Sequence, residues 1–336
     1  MAVNMGTVTE YFLSIHSGKG YHSFLDDTLR ILKKNVILRG GTNQLRSRII
    51  RNTGLNLLER GYDIEFIHGT VNPNNLEGVI IPQLSLSVAC GENLSNIKDY
   101  EIVNLDGYRD ENKYLIYKSK VKDLEEQINV NTELAREELA KLKEIYFVSF
   151  GKETALEDRQ VLYITEKILK TLFSKEKGVI YHRIAQCITK FGVINYYSDL
   201  LGNISNKVYL NEISPSNATG ILKIIAREAV IKGLKVAIYF NCLDPEVIEL
   251  LILPEMAMAI GSKNITGDFK KLISYPHKQE EKKYLFIEEL ATERAAWYFK
   301  EADNLNNQLC LLCQETIDYE GIKMLEKQIL AEILKD

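Results

Sequence analysis

"VILRGGTNQLRSRII", residues 36–50, places the apolar run Val36-Ile37-Leu38 directly before two glycines, with Ile49 and Ile50 at helical positions beyond them. Strand, glycine turn and helix in that order form the frame of a phosphate-binding loop, whose pattern is G-x-x-x-x-G-K-[ST]. Counted from Gly40, the chain supplies Gly40, Gly41, Thr42, Asn43, Gln44, Leu45, Arg46 and Ser47. Leucine replaces the second glycine and arginine the lysine, while Ser47 keeps the hydroxyl that would hold magnesium. A planar guanidinium on a longer stem cannot take the ammonium position unchanged. These eight residues are the candidate nucleotide or phosphate site of the chain, with ATP and magnesium as the ligands such a site would take.

The same frame returns further along. A shift of 172 residues lays residues 11–88 over 183–260 without a gap, bringing Gly20 onto Gly192, Asp27 onto Asp199 and Gly61 onto Gly233. Pro73, Glu77, Ile80 and Pro82 fall on Pro245, Glu249, Ile252 and Pro254. Coincidence at glycines and prolines marks a repeated backbone, since those residues answer to chain geometry. The second copy of the loop reads "EISPSNAT", with Ser216, Asn217, Ala218 and Thr219 at its end and Glu212 at its start. Ala218 stands at the lysine position, so this copy is expected to bind no triphosphate.

Each copy alternates strand and helix. In the first, a helix is expected over 24–32, a buried strand over 35–39, a helix over 45–59 ending at Gly61, and a strand over 62–68. Such alternation predicts an α/β fold with a mainly parallel sheet covered on both faces. Long charged helices follow each core: residues 112–148 carry a heptad-like stripe at Leu115, Val121, Leu124, Ile128, Leu134 and Leu142, and a second helix is expected from about Thr154, with Glu157 in capping-box spacing. The expected organisation is two repeats. The first spans 9–180, as a core over 9–110 and a helical pair over 111–178; the second spans 181–336, as a core over 181–282 and a pair over 283–335. The stripe suits a helical hairpin folding on itself better than a docking face.

Composition narrows the function. Hydrophobic residues at 46% and charged residues at 26% describe a globular chain. A net charge of -4 with no block of lysine and arginine argues against a general nucleic-acid surface. No run reaches the roughly 18 apolar residues of a membrane helix, and the first residues lack the basic start and apolar core of a signal peptide. A cytoplasmic protein is expected. Cys90, Cys187, Cys242, Cys310 and Cys313 sit in apolar surroundings and read as reduced, packed thiols; Cys310-x-x-Cys313 is half of a zinc pattern with no second half near it, so no metal site is expected.

With these residues in view, the chain resembles a family of bacterial tandem P-loop ATPases met chiefly in endospore-forming bacteria. The likeness rests on Tyr11-Phe12, "GYHSF" (20–24), "RGYDIEFIH" (60–68) and "NPNNLEGVIIPQL" (72–84) in the first copy. In the second it rests on "FGVINYY" (191–197), "KGLKVAIYF" (232–240) and "LDPEVIELLILPEM" (243–256). The resemblance implies two P-loop NTPase-like domains, each followed by a long helical hairpin, and a setting in sporulation or germination. Where the family has "GGPGTGKS", this chain departs in both copies, and the acidic residue that closes the family's "LLDG" strand falls on Cys90 and Ser262.

Those departures weaken a site by calculable amounts. Leu45 held in a glycine conformation would cost about 1 to 3 kcal/mol, or else the loop takes a different shape, and the lost lysine hydrogen bonds would cost about 1.5 to 3 kcal/mol. Lys19, His68 and the repeated pair Glu77 and Glu249 are weaker candidates for phosphate contact or base chemistry, each with a structural role at least as natural. No catalytic residue is assigned. The expected function is a degenerate ATPase-like scaffold or regulatory partner of another protein, an intact ATPase of the same family first among them; the alternative is a weak ATPase working through Arg46 and Ser47.

Overall fold

The computed structural model describes residues 5–91, 100–148, 177–210, 214–262 and 278–335. The second helix expected from Thr154, and Glu212 in the second loop, lie outside them. The chain divides into two compact units, each discontinuous: 1–11, 28–135 and 297–336 form one, and 12–27 with 136–296 form the other.

The first half begins with β1 (Val8–Tyr11), β2 (Ser14–Ser17), β3 (Gly20–Ser23) and the short α1 (Leu25–Arg30). Next come β4 (Lys34–Arg39), α2 (Asn43–Leu58), β5 (Ile64–His68), β6 (Leu76–Ile81), β7 (Leu86–Cys90), β8 (Tyr100–Asn104) and the long α3 (Glu111–Val148). The second half runs β9 (Val179–Arg183), β10 (Gln186–Thr189), β11 (Gly192–Asn195), α4 (Tyr197–Gly202), β12 (Asn206–Tyr209) and α5 (Pro215–Ile231). It continues with β13 (Lys235–Phe240), β14 (Ile248–Leu253), β15 (Met258–Gly261), α6 (Lys278–Gln314) and α7 (Tyr319–Ile333).

Among the described residues the first sheet has the order β1-β5-β6-β7-β4-β8 and the second β9-β13-β14-β15-β12. Every strand of the second sheet is the counterpart of one in the first. Finer features recur with the same spacing. A β-bulge at Ile67/His68 returns at Tyr239/Phe240, and a left-handed residue after a 3-10 turn, Ser85 at φ 50°, returns as Ala257 at φ 44°.

The fold is α/β with mixed sheets, and it corrects the mainly parallel expectation at one strand of each sheet, β6 and β14. β6 is antiparallel to both β5 and β7, while β1 with β5, and β4 with β7 and β8, are parallel. Pro82 and Ser85 bound a turn too short for a crossover, so the apolar runs on its two sides must reverse direction. α2 lies across β6 with β5 and β7 at its flanks. Gly54 permits this approach, since a Cβ there would come within 2.5 Å of the Phe66 ring.

α7 completes the first core, burying Ile322, Leu325, Ile329 and Ile333 among Ile49, Ile50, Leu57 and Phe66. Its apolar stripe is therefore used in packing on this sheet's helix layer. On α3 the expected stripe is kept at Val121, Leu124 and Leu142, but Leu115 is exposed and Ala135 and Leu139 are buried in its place. A 3.6-residue helix drifts against a seven-residue repeat, and the buried face drifts with it. In the second unit Tyr197, Leu201, Tyr239, Leu250 and Ile252 form a core on the other sheet face, since these strand positions alternate with the counterparts of Phe66, Val79 and Ile81.

Candidate functional site

β4 is buried through Val36, Ile37 and Leu38 and sits between β7 and β8, so the end of the strand is fixed on both sides. Gly40 and Gly41 follow with φ of 64° and 62°, left-handed values that suit glycine. Thr42 is then the N-cap of α2, its Oγ1 accepting the Leu45 N–H at 3.2 Å. Only three residues separate strand from helix. A loop able to wrap a triphosphate needs the residues between its glycines to stay outside the helix; here Asn43, Gln44, Leu45, Arg46 and Ser47 are already α2.

This changes the meaning of each substituted position. Leu45 is not held in a glycine conformation: it is helical, 6% exposed and packed in the first core, so of the two expectations the changed loop shape holds and the strain does not arise. Arg46 turns back on its own loop, donating from Nη1 to the carbonyls of Gly40 at 2.7 Å and Gly41 at 3.1 Å, and from Nη2 to Asn43 Oδ1. The guanidinium caps carbonyl oxygens. Its Nε is buried without a hydrogen-bond partner among the described residues.

The positive end of α2 is met by side chains of the same unit. Asp106 Oδ1 accepts the Gly41 N–H at 3.0 Å and is held in turn by Arg109 at 3.2 Å. A Cβ on Gly40 would stand 2.5 Å from that carboxyl group, so the glycine makes room for it. Cys310 on α6 is hydrogen-bonded to the Gln44 backbone N–H and to the Thr42 side chain; burial pushes its thiol up, and these two bonds pull it part of the way back. Beside it Gln44 Nε2 donates to Asn307 Oδ1 at 2.7 Å and Asn43 Nδ2 to Asn306 Oδ1 at 3.5 Å. Asp303, buried, accepts from Asn72 at 2.8 Å and Asn307 at 3.2 Å. Sequence reasoning missed this stripe. Its signal was there in the spacing Asp303, Asn306, Asn307, Cys310, one face of a helix.

Ser47 shows what the retained hydroxyl does. Its Oγ accepts the Leu76 N–H at 2.8 Å, tying α2 to the start of β6. Thr219 does the same in the second half, accepting the Ile248 N–H at 2.9 Å and tying α5 to β14. Both hydroxyls are buried and occupied by backbone. In the second loop Ser214 is the N-cap, accepting the Asn217 N–H at 3.3 Å, and Pro215 opens α5. Ser216, Asn217, Ala218 and Thr219 are thus helical, and Ala218 is fully buried.

The weaker candidates are placed as follows. Lys19 is paired with Asp244 at 3.2 Å and Glu246 at 2.8 Å in the second unit. His68 has Pro73 O at 2.6 Å from Nδ1 and Glu10 Oε1 at 3.2 Å from Nε2, and the His68 hydrogen bond holds the Glu10 carboxyl below its ordinary value. Glu249 is buried and accepts from Tyr197 Oη and Asn241 Nδ2, each at 2.7 Å. Its counterpart Glu77 is partly exposed, so the repeated glutamates occupy unlike surroundings. Cys90 ends β7 half-buried, and the Ser262 N–H donates to the Glu249 carbonyl at 2.7 Å. All five cysteines are free thiols, and no cluster of three metal-ligating side chains occurs among the described residues. No described helix is long and apolar enough to cross a membrane. No family model matches the chain, and neither does any curated protein or solved structure.

Proposed function

We propose that the chain is a degenerate relative of tandem P-loop ATPases, two repeats of one domain in which the strand–glycine–helix junction survives as architecture, and that it acts by binding another protein as a scaffold or regulatory subunit. The observation that carries this reading is the α2 N-terminus. The glycine turn there is three residues long, its N–H groups face Asp106, Thr42 and Cys310 of the same chain, and Arg46 is turned onto carbonyls. Hydrolysis in P-loop enzymes needs a lysine on the β- and γ-phosphates and a hydroxyl on magnesium. Arg46 and Ser47 are both engaged elsewhere, and at the second junction Ala218 is in the core.

An intact ATPase of the family the chain resembles is the partner this reading favours, because a shared fold supplies self-complementary surfaces. The direct test is calorimetric titration of the purified chain with magnesium-ATP, together with a turnover assay on the same gel-filtration peak. The expected result is no saturable heat at millimolar nucleotide and no phosphate release. Saturable binding in the micromolar range with turnover of about 1 per second or faster would overturn the reading and make the first junction a rewired active site.

A further inference from the structure

The hairpin formed by β2 and β3 belongs to the second compact unit, although it lies near the start of the chain. It is fastened there at several points. Phe12 and Ile184 exchange two backbone hydrogen bonds of 2.9 Å, Phe24 stacks on Phe240 at 4.5 Å, and Lys19 holds Asp244 and Glu246. One attachment has a different chemistry. Arg136 of α3 donates from Nε to Nδ1 of His16 on β2, at 3.1 Å.

A guanidinium has donors only, so the imidazole nitrogen that receives its hydrogen must offer a lone pair. His16 is therefore neutral while the contact exists, and a proton on Nδ1 would set two donors and two positive charges against each other. The ring also faces Tyr21 of β3, with the two centroids 5.1 Å apart. We propose that the β2–β3 hairpin is an acid-released clasp, closed on its unit by the Arg136–His16 contact and opened when His16 takes a proton.

Desolvation, then the Arg136 charge, hold His16 down from 6.5 to about 3. An opened hairpin returns it to the ordinary value. Between those limits the open form binds more protons, so acidification favours it, by about thirtyfold at pH 5 relative to pH 7.5. Neighbouring groups add smaller effects. His22 of β3 is also held down, by burial first and by His182, while Asp27 and Glu246 pull it the other way. His182 lies 3.3 Å from Asp27. Burial pushes the Asp244 carboxyl up, but the Glu246 backbone N–H, Lys143 and Lys19 hold it below its ordinary value, so it stays ionised at pH 5.

The experiment is amide hydrogen exchange on the full chain at pH 7.5 and pH 5, corrected for intrinsic rates and repeated in low urea, with His16→Gln as the comparison. Glutamine can accept the Arg136 hydrogen but does not titrate. The hairpin amides (14–23) should open by a route insensitive to urea, and the acid-induced rise in native protein should exceed that in H16Q by about thirtyfold. Equal rises in the two proteins, or hairpin amides with the urea dependence of β13 and β14, would overturn the proposal. Should H16Q fail to fold, ring-nitrogen NMR of the native chain decides. Nδ1 that stays unprotonated at pH 5 in the closed state supports the clasp; Nδ1 protonated near pH 6.5 with the hairpin still protected refutes it.

Discussion

Ser47 and Thr219 carry the clearest consequence of a single side chain. If their hydroxyls serve the backbone of β6 and β14, Ser47→Ala leaves the Leu76 N–H unpaired in a buried place and Thr219→Val does the same to Ile248. Each change should lower unfolding free energy by about 1 to 3 kcal/mol, read from urea denaturation midpoints at constant slope. A residue kept for magnesium would leave stability of the nucleotide-free protein nearly untouched, and a shift under a few tenths of a kcal/mol would argue for that role. The residue types at these positions were legible in sequence. Their partners were not, because an N–H 29 residues away is brought to the hydroxyl only when α2 lies on β6.

The α2 junction carries the proposed function, and the α6 stripe laid against it makes a prediction about thiols. Cys310 and Cys313 are buried, and burial pushes both thiols up, so little thiolate exists near neutral pH. Alkylation should reach Cys90, half-buried at the end of β7, well before either of them. Labelling of Cys310 should follow unfolding of the unit, with a rate that rises with urea. Rapid modification of Cys310 in native protein would mean that α6 leaves the junction readily. The helix itself, its start near Thr42 and its two glycines were legible from local chemistry. That the turn closes in three residues was not, since a glycine permits several conformations and the Asp106 carboxylate selects this one.

Each compact unit draws on both halves of the chain, and that too can be tested. The second unit draws on 12–27 and 136–148 as well as the second half up to residue 296, including Phe12 on Ile184 and Phe24 on Phe240. A fragment comprising 181–336 should therefore lack a cooperative thermal transition, while the full chain shows one. A sharp melt of the fragment, with native-like circular dichroism, would show instead that the second half folds alone. Sequence by itself determined the α/β alternation, the 172-residue repeat and the position of both junctions. Those depend on hydrophobic period and on glycine and proline, which act locally. Tertiary structure alone decided the reversal of β6, the closing of the α2 N-terminus by Asp106 and Cys310, and the unit to which the β2–β3 hairpin belongs. Each of these is a contact between segments far apart in the chain, and no local pattern records which of several compatible surfaces a segment will meet.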